Sequence, residues 1–284
     1  MTDKSTEISE IIKRFKLLSP SASSLLAITT REDHNLSEIV GIIKCDANLT
    51  AKVLKIVNSA AYGLRNEITA IDRAINFMGE SSLISIAMNE AGDMLYQKNL
   101  TGYEGEKGDL WRHNLLTGLA AKKIAPYAKD PINDDVAFTC GLLHDLGKSI
   151  ISDFLIGTSG KVVQALENKK VADYQSAEQK ILGIDHCDAG FELATYWHLP
   201  EPIPSAIRYH HHPAQAAPEY KTLVYTVHLG DMLAMMAGRG TGADTLQYKL
   251  DSNYSDYIEL TENDLAGIMV EIGDEFTIMQ ESMQ

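Results

Sequence analysis

Cysteine is scarce: Cys45, Cys140 and Cys187 are the only three in 284 residues, and none lies close to another. An odd number without paired spacing is neither a disulfide framework nor a zinc ribbon, so each is most simply a small buried hydrophobe. Long apolar runs are missing too. None approaches the roughly 18 residues that mark a membrane-spanning helix, and the opening MTDKSTEISE is polar and acidic, unlike a signal peptide. A cytoplasmic protein without membrane contact is expected. Basic residues are also short, with 25 Lys and Arg against 39 Asp and Glu and a formal charge of -14. Phosphate backbones are bound through a Lys/Arg excess, so no nucleic-acid surface is expected. Bound cations would offset part of that negative charge. What is present is ordinary for a globular chain, 45% hydrophobic and 23% charged, and long enough to bury a real core.

Alternating strand patterns are absent, and nearly every periodic stretch has helical spacing. Ile8, Ile11, Ile12 and Phe15 form one stripe, with Pro20 as its stop signal. Leu36, Ile39, Val40 and Ile43 form another, entered through Asn35 and Glu38 as a cap pair. Leu49, Val53, Ile56 and Val57 make a third, running to a stop at Tyr62-Gly63. Leu265, Ile268, Met269 and Ile272 mark the last helix, with Thr261 and Asp264 at its entry. The fold class is all-α. Gly102, Gly105 and Gly108 interrupt the periodicity between Gln97 and Asp109. Residues 1–108 therefore read as an N-terminal helical lobe and residues 109–284 as a second lobe. The segment GRGTGAD (238–244) lacks the Lys and Ser/Thr of a phosphate loop and reads as a plain surface loop.

All the candidate chemistry falls in the second lobe. His113, the dyad His144-Asp145 with Lys148 behind it, His186, the pair His210-His211, and Asp231 together look like one metal site, since imidazole and carboxylate bind borderline and hard divalent ions. Adjacent helical residues point about 100° apart, so His144 and Asp145 cannot chelate one ion symmetrically. Asp145 can instead lie between two ions while His144 binds one of them. Lys148 shares their helical face and is placed to meet an anionic substrate oxygen. Asp231 sits in YTVHLGDMLA, an apolar helix where an isolated carboxylate is costly without a partner. The run His210-His211-His212 does not itself say which two face inward. Of the other histidines, His34 reads as surface, His198 as packing beside Trp197, and His228 as a supporting partner three residues before Asp231. Asp188 reads as a solvated helix residue.

These residues resemble a known family. LLHDLGK (142–148), with WRHN (111–114) before it and AIRYHHHP (206–213) after it, resembles the HD superfamily of metal-dependent phosphohydrolases. CDANLTAKVLKIVNSAAYG (45–63), followed by Ile68, Ile71 and AINFMG (74–79), is similar to the HDOD family, the HD-related output domain of bacterial signalling proteins. The resemblance spans roughly residues 15–235. It implies a two-lobe helical protein of bacterial signal transduction, here retaining a ligand set that many members lack. By position, His113, His144, Asp145 and Asp231 would hold one ion, and His186, His210 and His211 a second, with Asp145 bridging. The spacing to Pro213 selects His210-His211. The related HD-GYP enzymes hydrolyse cyclic di-GMP, but PAQAAPEY (213–220) stands where their GYP segment should follow. That argues against this substrate and leaves other phosphoesters open. With no receiver, kinase or DNA-binding extension in the sequence, a free-standing HDOD protein is expected.

Three functions follow as expectations. The first is a metal-dependent phosphohydrolase acting on a phosphorylated small molecule or nucleotide, with two divalent ions, iron or manganese foremost, Asp145 at the centre and Lys148 stabilising charge on the phosphate. The second is a non-catalytic regulatory module that binds signalling proteins, its metal site vestigial or structural. The third is a protein in which ions merely tie helices together.

Overall fold

The computed structural model describes residues 4–31, 33–91 and 98–282, so Gln97, one edge of the expected boundary, lies outside the described residues. Helices α1 (Lys4–Ile12), α2 (Pro20–Thr29), α3 (Leu36–Lys44), α4 (Ala47–Val57), α5 (Ile71–Met78) and α6 (Glu80–Ala91) come first. They are followed by α7 (Asp109–Ile124), α8 (Asp134–Leu143), α9 (Leu146–Ile151), α10 (Ser159–Glu167), α11 (Tyr174–Leu182), α12 (His186–Tyr196), α13 (Ile203–Tyr209), α14 (Lys221–Met236) and α15 (Glu262–Ser282). Among the described residues there is no strand, only two isolated bridges, Leu100 with Gly105 and Ala128 with Ile258. The all-α reading holds.

Local signals explain most helix starts. Asn35 Oδ1 accepts from the Glu38 backbone amide and its side-chain Nδ2 donates to the Glu38 carboxylate, a side-chain form of the cap pair expected at α3. Asp46 caps α4 through the Asn48 and Leu49 amides. At the start of α15 the Thr261 backbone amide donates to the Asp264 carboxylate and the Asp264 amide to Thr261 Oγ1, a reciprocal capping box. Pro20 behaves differently from its expected role. It is the first residue of α2, capped by Ser19, while α1 has already ended at Ile12 and leaves Phe15 beyond the helix. Proline's missing N–H and fixed φ suit a first helical turn, so it starts a helix here. The stripe of α4 ends at Val57. Gly63, at φ 58, closes a following short 3-10 turn over Ala60–Tyr62.

Two apolar cores organise the chain. The smaller draws on residues 25 to 87, with Ile39, Ile43, Val53 and Val57 fully buried. The larger is built on α7 to α9 and α12 to α15, and each fully buried Leu or Ile in it contributes about 1.5–3 kcal/mol relative to exposure. Ile8 and Ile12 of α1 belong to this larger core, where α1 packs against α12 and Ser9 donates to Glu192. Helix α7 is the central rod, packed by α8, α14 and α15.

Several single-residue expectations change. Cys140 and Cys187 are buried, but Cys45 is exposed at the C-terminal cap of α3. His198 is exposed at φ 55 rather than packed beside the buried Trp197, because it occupies the left-handed position that ends α12. His34 is drawn partly inward by its contact with Glu80. Asp188 is half-exposed and paired with Arg208.

Candidate metal centre

Asp145 is the hub of a group of buried polar side chains within the larger core. His144 caps the C-terminus of α8, and Asp145 (φ -101, ψ 15) immediately precedes α9. The dyad therefore lies on a break between two helices, and the angular constraint of a continuous helix does not apply. Asp145 Oδ2 is 3.4 Å from both His113 Nε2 and His144 Nε2. Its Oδ1 is 3.5 Å from His186 Nε2 and 3.6 Å from His210 Nε2. Each carboxylate oxygen thus faces two imidazoles. Asp231 enters from α14, with Oδ1 3.0 Å from His113 Nε2 and Oδ2 3.8 Å from His211 Nδ1. All seven candidate ligands come together. His210 and His211 face inward while His212 is exposed.

The surrounding backbone fixes these rings. His113 Nδ1 donates to Arg239 O at 2.7 Å, His144 Nδ1 to Gly141 O at 2.7 Å, and His210 Nδ1 to Ile207 O at 2.9 Å. A carbonyl only accepts, so each Nδ1 carries the proton and each Nε2 is left to face Asp145. His186 Nδ1 is held instead by Glu178 Oε2 at 2.6 Å, and Tyr103 donates to the other Glu178 oxygen. His228 supports His210 from behind: its Nδ1 donates to His210 O and its Nε2 accepts the Asp251 amide. Gly147 makes the geometry possible. A Cβ at this position would lie 1.8 Å from His186 O, so only glycine lets α9 abut the start of α12.

Apart from the ion-pair contacts above and that of Lys148 with Asp145, seven buried atoms at this centre make no hydrogen bond: His113 Nε2, His144 Nε2, both oxygens of Asp145, Asp231 Oδ2 and both ring nitrogens of His211. An unpaired buried polar atom costs about 1–3 kcal/mol, so a concentration of them around one point fits a cation-binding centre. The donors are those of a divalent first-row ion. Burial lowers the pKa of His113, but Asp145 and Asp231 outweigh it and raise the ring to about 9. His186 is likewise disfavoured by burial, yet Glu178 and Asp145 lift it to about 8. Burial dominates at His210, which falls to about 4. Asp145 is penalised by burial but held well below the carboxylate range by Lys148 and the surrounding histidines.

Lys148 is fully enclosed. Its Nζ lies 2.7 Å from Asp145 Oδ2, 2.6 Å from Asp244 Oδ2 and 3.1 Å from Thr241 Oγ1. The GRGTGAD segment is therefore not a plain surface loop. Thr241 and Asp244 are only 2% and 1% exposed, and they begin a strap across the centre. Tyr248 continues it, donating to Asp244 and stacking on His211 with ring centroids 3.9 Å apart. Glu178, Asp244, Tyr248 and Cys187 escape sequence reasoning. Cys187 Sγ lies 3.5 Å from His186 Nε2. Only its position beside His186 was visible.

Comparison with known proteins places this architecture. An HDOD domain protein of Geobacter sulfurreducens superposes with a TM-score of 0.68 at 21% identity over 98% of both chains. A protein of Shewanella amazonensis, provisionally named a phosphohydrolase, gives 0.67 at 19% identity over 98% of both chains. One of Marinobacter aquaeolei, provisionally named a signal transduction protein, gives 0.74 at 18% identity over 99% of this chain and 66% of that one. At such identities the likeness shows a shared fold. Among curated relatives, an uncharacterized protein of Treponema pallidum is 28% identical over 70% of this chain and 38% of its own length. Ribonuclease Y of Mycoplasmoides gallisepticum is 28% identical over 55% of this chain and 24% of its own. The chain spans less than two-fifths of either. The HDOD domain model matches residues 16–213. That is more than half of the sequence, and the chain belongs to the HDOD family.

Proposed function

We propose that this chain is a metal-dependent phosphohydrolase whose centre is held by His113, His144, Asp145, His186, His210, His211 and Asp231. One observation carries the reading: a single buried carboxylate, Asp145, faces two imidazoles through each oxygen, amid buried nitrogen and oxygen atoms whose hydrogen bonding is incomplete. His113, His144, Asp145 and Asp231 would hold one ion, and His186, His210 and His211 a second, with Asp145 between them. When bound, a divalent pair supplies Lewis acidity that polarises a phosphoryl oxygen and lowers the pKa of water. The protein does the rest. Backbone carbonyls and Glu178 hold the rings in one tautomer, and their burial strengthens the charge interactions among them. Lys148 would meet negative charge developing on the phosphoryl group, once released from Asp244. Names given to structural neighbours, a phosphohydrolase and a signal transduction protein, accord with this reading.

The test is elemental analysis of chelator-free protein followed by hydrolysis of phosphomonoester and phosphodiester substrates. About two first-row ions per chain and turnover, both lost in His144→Ala/Asp145→Ala, support the proposal. Turnover unchanged by Asp145→Ala sinks it.

The enclosure favours a second reading, a regulatory module that binds signalling partners through its helical surface. Asp145 is 0% exposed and Lys148 is occupied by Asp244, which leaves a substrate no open path. A fully loaded protein that binds a partner but hydrolyses no phosphoester, even with the strap opened, establishes this reading over the first.

A further inference from the structure

We propose that Cys187 is a metal ligand, and that the His186 side of the centre is a nitrogen–sulfur–oxygen site suited to zinc or ferrous iron rather than manganese or magnesium. The inference rests on the reading that the centre holds metal, and not on hydrolysis.

Four donor atoms outline the site. Cys187 Sγ is 3.5 Å from His186 Nε2 and 3.8 Å from His210 Nε2. Both nitrogens are in turn 3.5 and 3.6 Å from Asp145 Oδ1. A tetrahedral ion with bonds of 2.0–2.3 Å separates its ligands by about 3.3–3.8 Å, which is the range of these four edges. His211 adds an independent pointer. Both its ring nitrogens are buried and unpartnered, and a ligand atom from each of His186, Cys187, His210 and His211 falls within 4.8 Å of the others. The other side of the centre, around His113, His144 and Asp231, has only nitrogen and oxygen donors. The two sides therefore differ in softness, and thiolate is the donor that selects against hard ions.

The position of Cys187 also suits delivery of an ion. It is 1% exposed, yet it forms part of the wall of a cleft of about 360 Å³ with Gln175, Asp185 and Arg208. Without a metal, the sulfur makes only weak contacts with the His186 and His210 rings.

Cobalt(II) added to the metal-free protein separates these roles. The expected result is a near-ultraviolet thiolate-to-cobalt charge-transfer band in the wild type. In Cys187→Ala that band disappears while the visible d–d absorption of bound cobalt persists. Bound cobalt without the band, or the same band in Cys187→Ala, overturns the proposal and leaves the metal centre standing. No cobalt uptake at all overturns both. X-ray absorption of zinc-loaded wild type needs no variant: one sulfur at about 2.3 Å supports ligation, and a shell of nitrogen and oxygen alone refutes it.

Discussion

Lys148 Nζ stands 2.6 Å from Asp244 Oδ2 and 2.7 Å from Asp145 Oδ2, so one buried ammonium joins the covering strap to the hub of the centre. The strap is fastened at the group a substrate phosphate would need. Removing the Asp244 charge should loosen it. Asp244→Asn is expected to accelerate chelator-driven loss of bound metal by about tenfold or more, the factor that 1.4 kcal/mol supplies. Metal release followed with a chromophoric chelator checks this, and an unchanged rate means the strap does not gate the centre.

Lys148 also neutralises two carboxylates that have no access to water. Lys148→Met leaves Asp145 and Asp244 buried without it and should destabilise the metal-free protein by about 3–5 kcal/mol. Adding Asp244→Leu should recover part of that loss, since one of the abandoned charges is then gone. Urea unfolding of the three proteins measures both effects.

Glu178 should matter through His186. Its carboxylate fixes the ring from the side opposite Asp145. Glu178→Gln is expected to weaken metal affinity by roughly 10–100-fold with unchanged stoichiometry. Competition titration against a chelator of known affinity reads this directly, and an unaltered affinity removes Glu178 from the site.

The pH dependence has two opposing arms in the metal-free protein. His113 and His186 have folded pKa values raised to about 9 and 8, above the ordinary 6.5. Their contribution to stability is complete below about pH 6.5 and is lost as pH climbs through 8 and 9. His210, lowered to about 4, works the other way: the unfolded chain takes up its proton below about pH 6.5, so stability falls as pH drops from there towards 4. Thermal unfolding of chelated protein should therefore show these arms meeting near pH 6.5. At neutral pH, loading must displace the His113 and His186 protons, so metal affinity should rise with pH up to about 9. Calorimetry in buffers of different ionisation enthalpy counts the released protons.

Gly147→Ala tests the contact between α9 and α12. The added methyl meets His186 O, a backbone atom that cannot rotate away. Destabilisation of about 1–3 kcal/mol and loss of metal at the His186 side are expected. Normal metal content and stability would show that the helices separate at little cost.

The seven ligand candidates were legible because histidines and carboxylates are costly in apolar helices: Asp231 lies between Leu229 and Leu233, and Asp145 between Leu143 and Leu146. Caps such as Asn35 with Glu38 were legible because their partners are three residues apart. Glu178 and Asp244 were not, since their meaning comes from residues 8 and 96 positions away, His186 and Lys148. The strap is the sharpest case. Its glycines announce a turn, but not what the turn rests on. Gly242, at φ 135, lies where a Cβ would approach Tyr103 O to 2.1 Å, and only the folded chain reveals that neighbour. Cys187 was read as a hydrophobe for the same reason: burial was foreseeable, but its nearness to His210 was not.

The strap's ends have a further consequence. Arg239, near its start, accepts from His113 Nδ1, and the Asp251 amide, at its far end, donates to His228, which in turn holds His210. The cover is thus moored to the back of the His113 imidazole and, through His228, to the backbone of His210. A cation that ordered the His113 ring would also tighten this mooring, and by reciprocity a tightened cover would hold the cation more firmly. Occupancy and closure would then be one shared equilibrium, joined through the His113 nitrogen that faces away from Asp145.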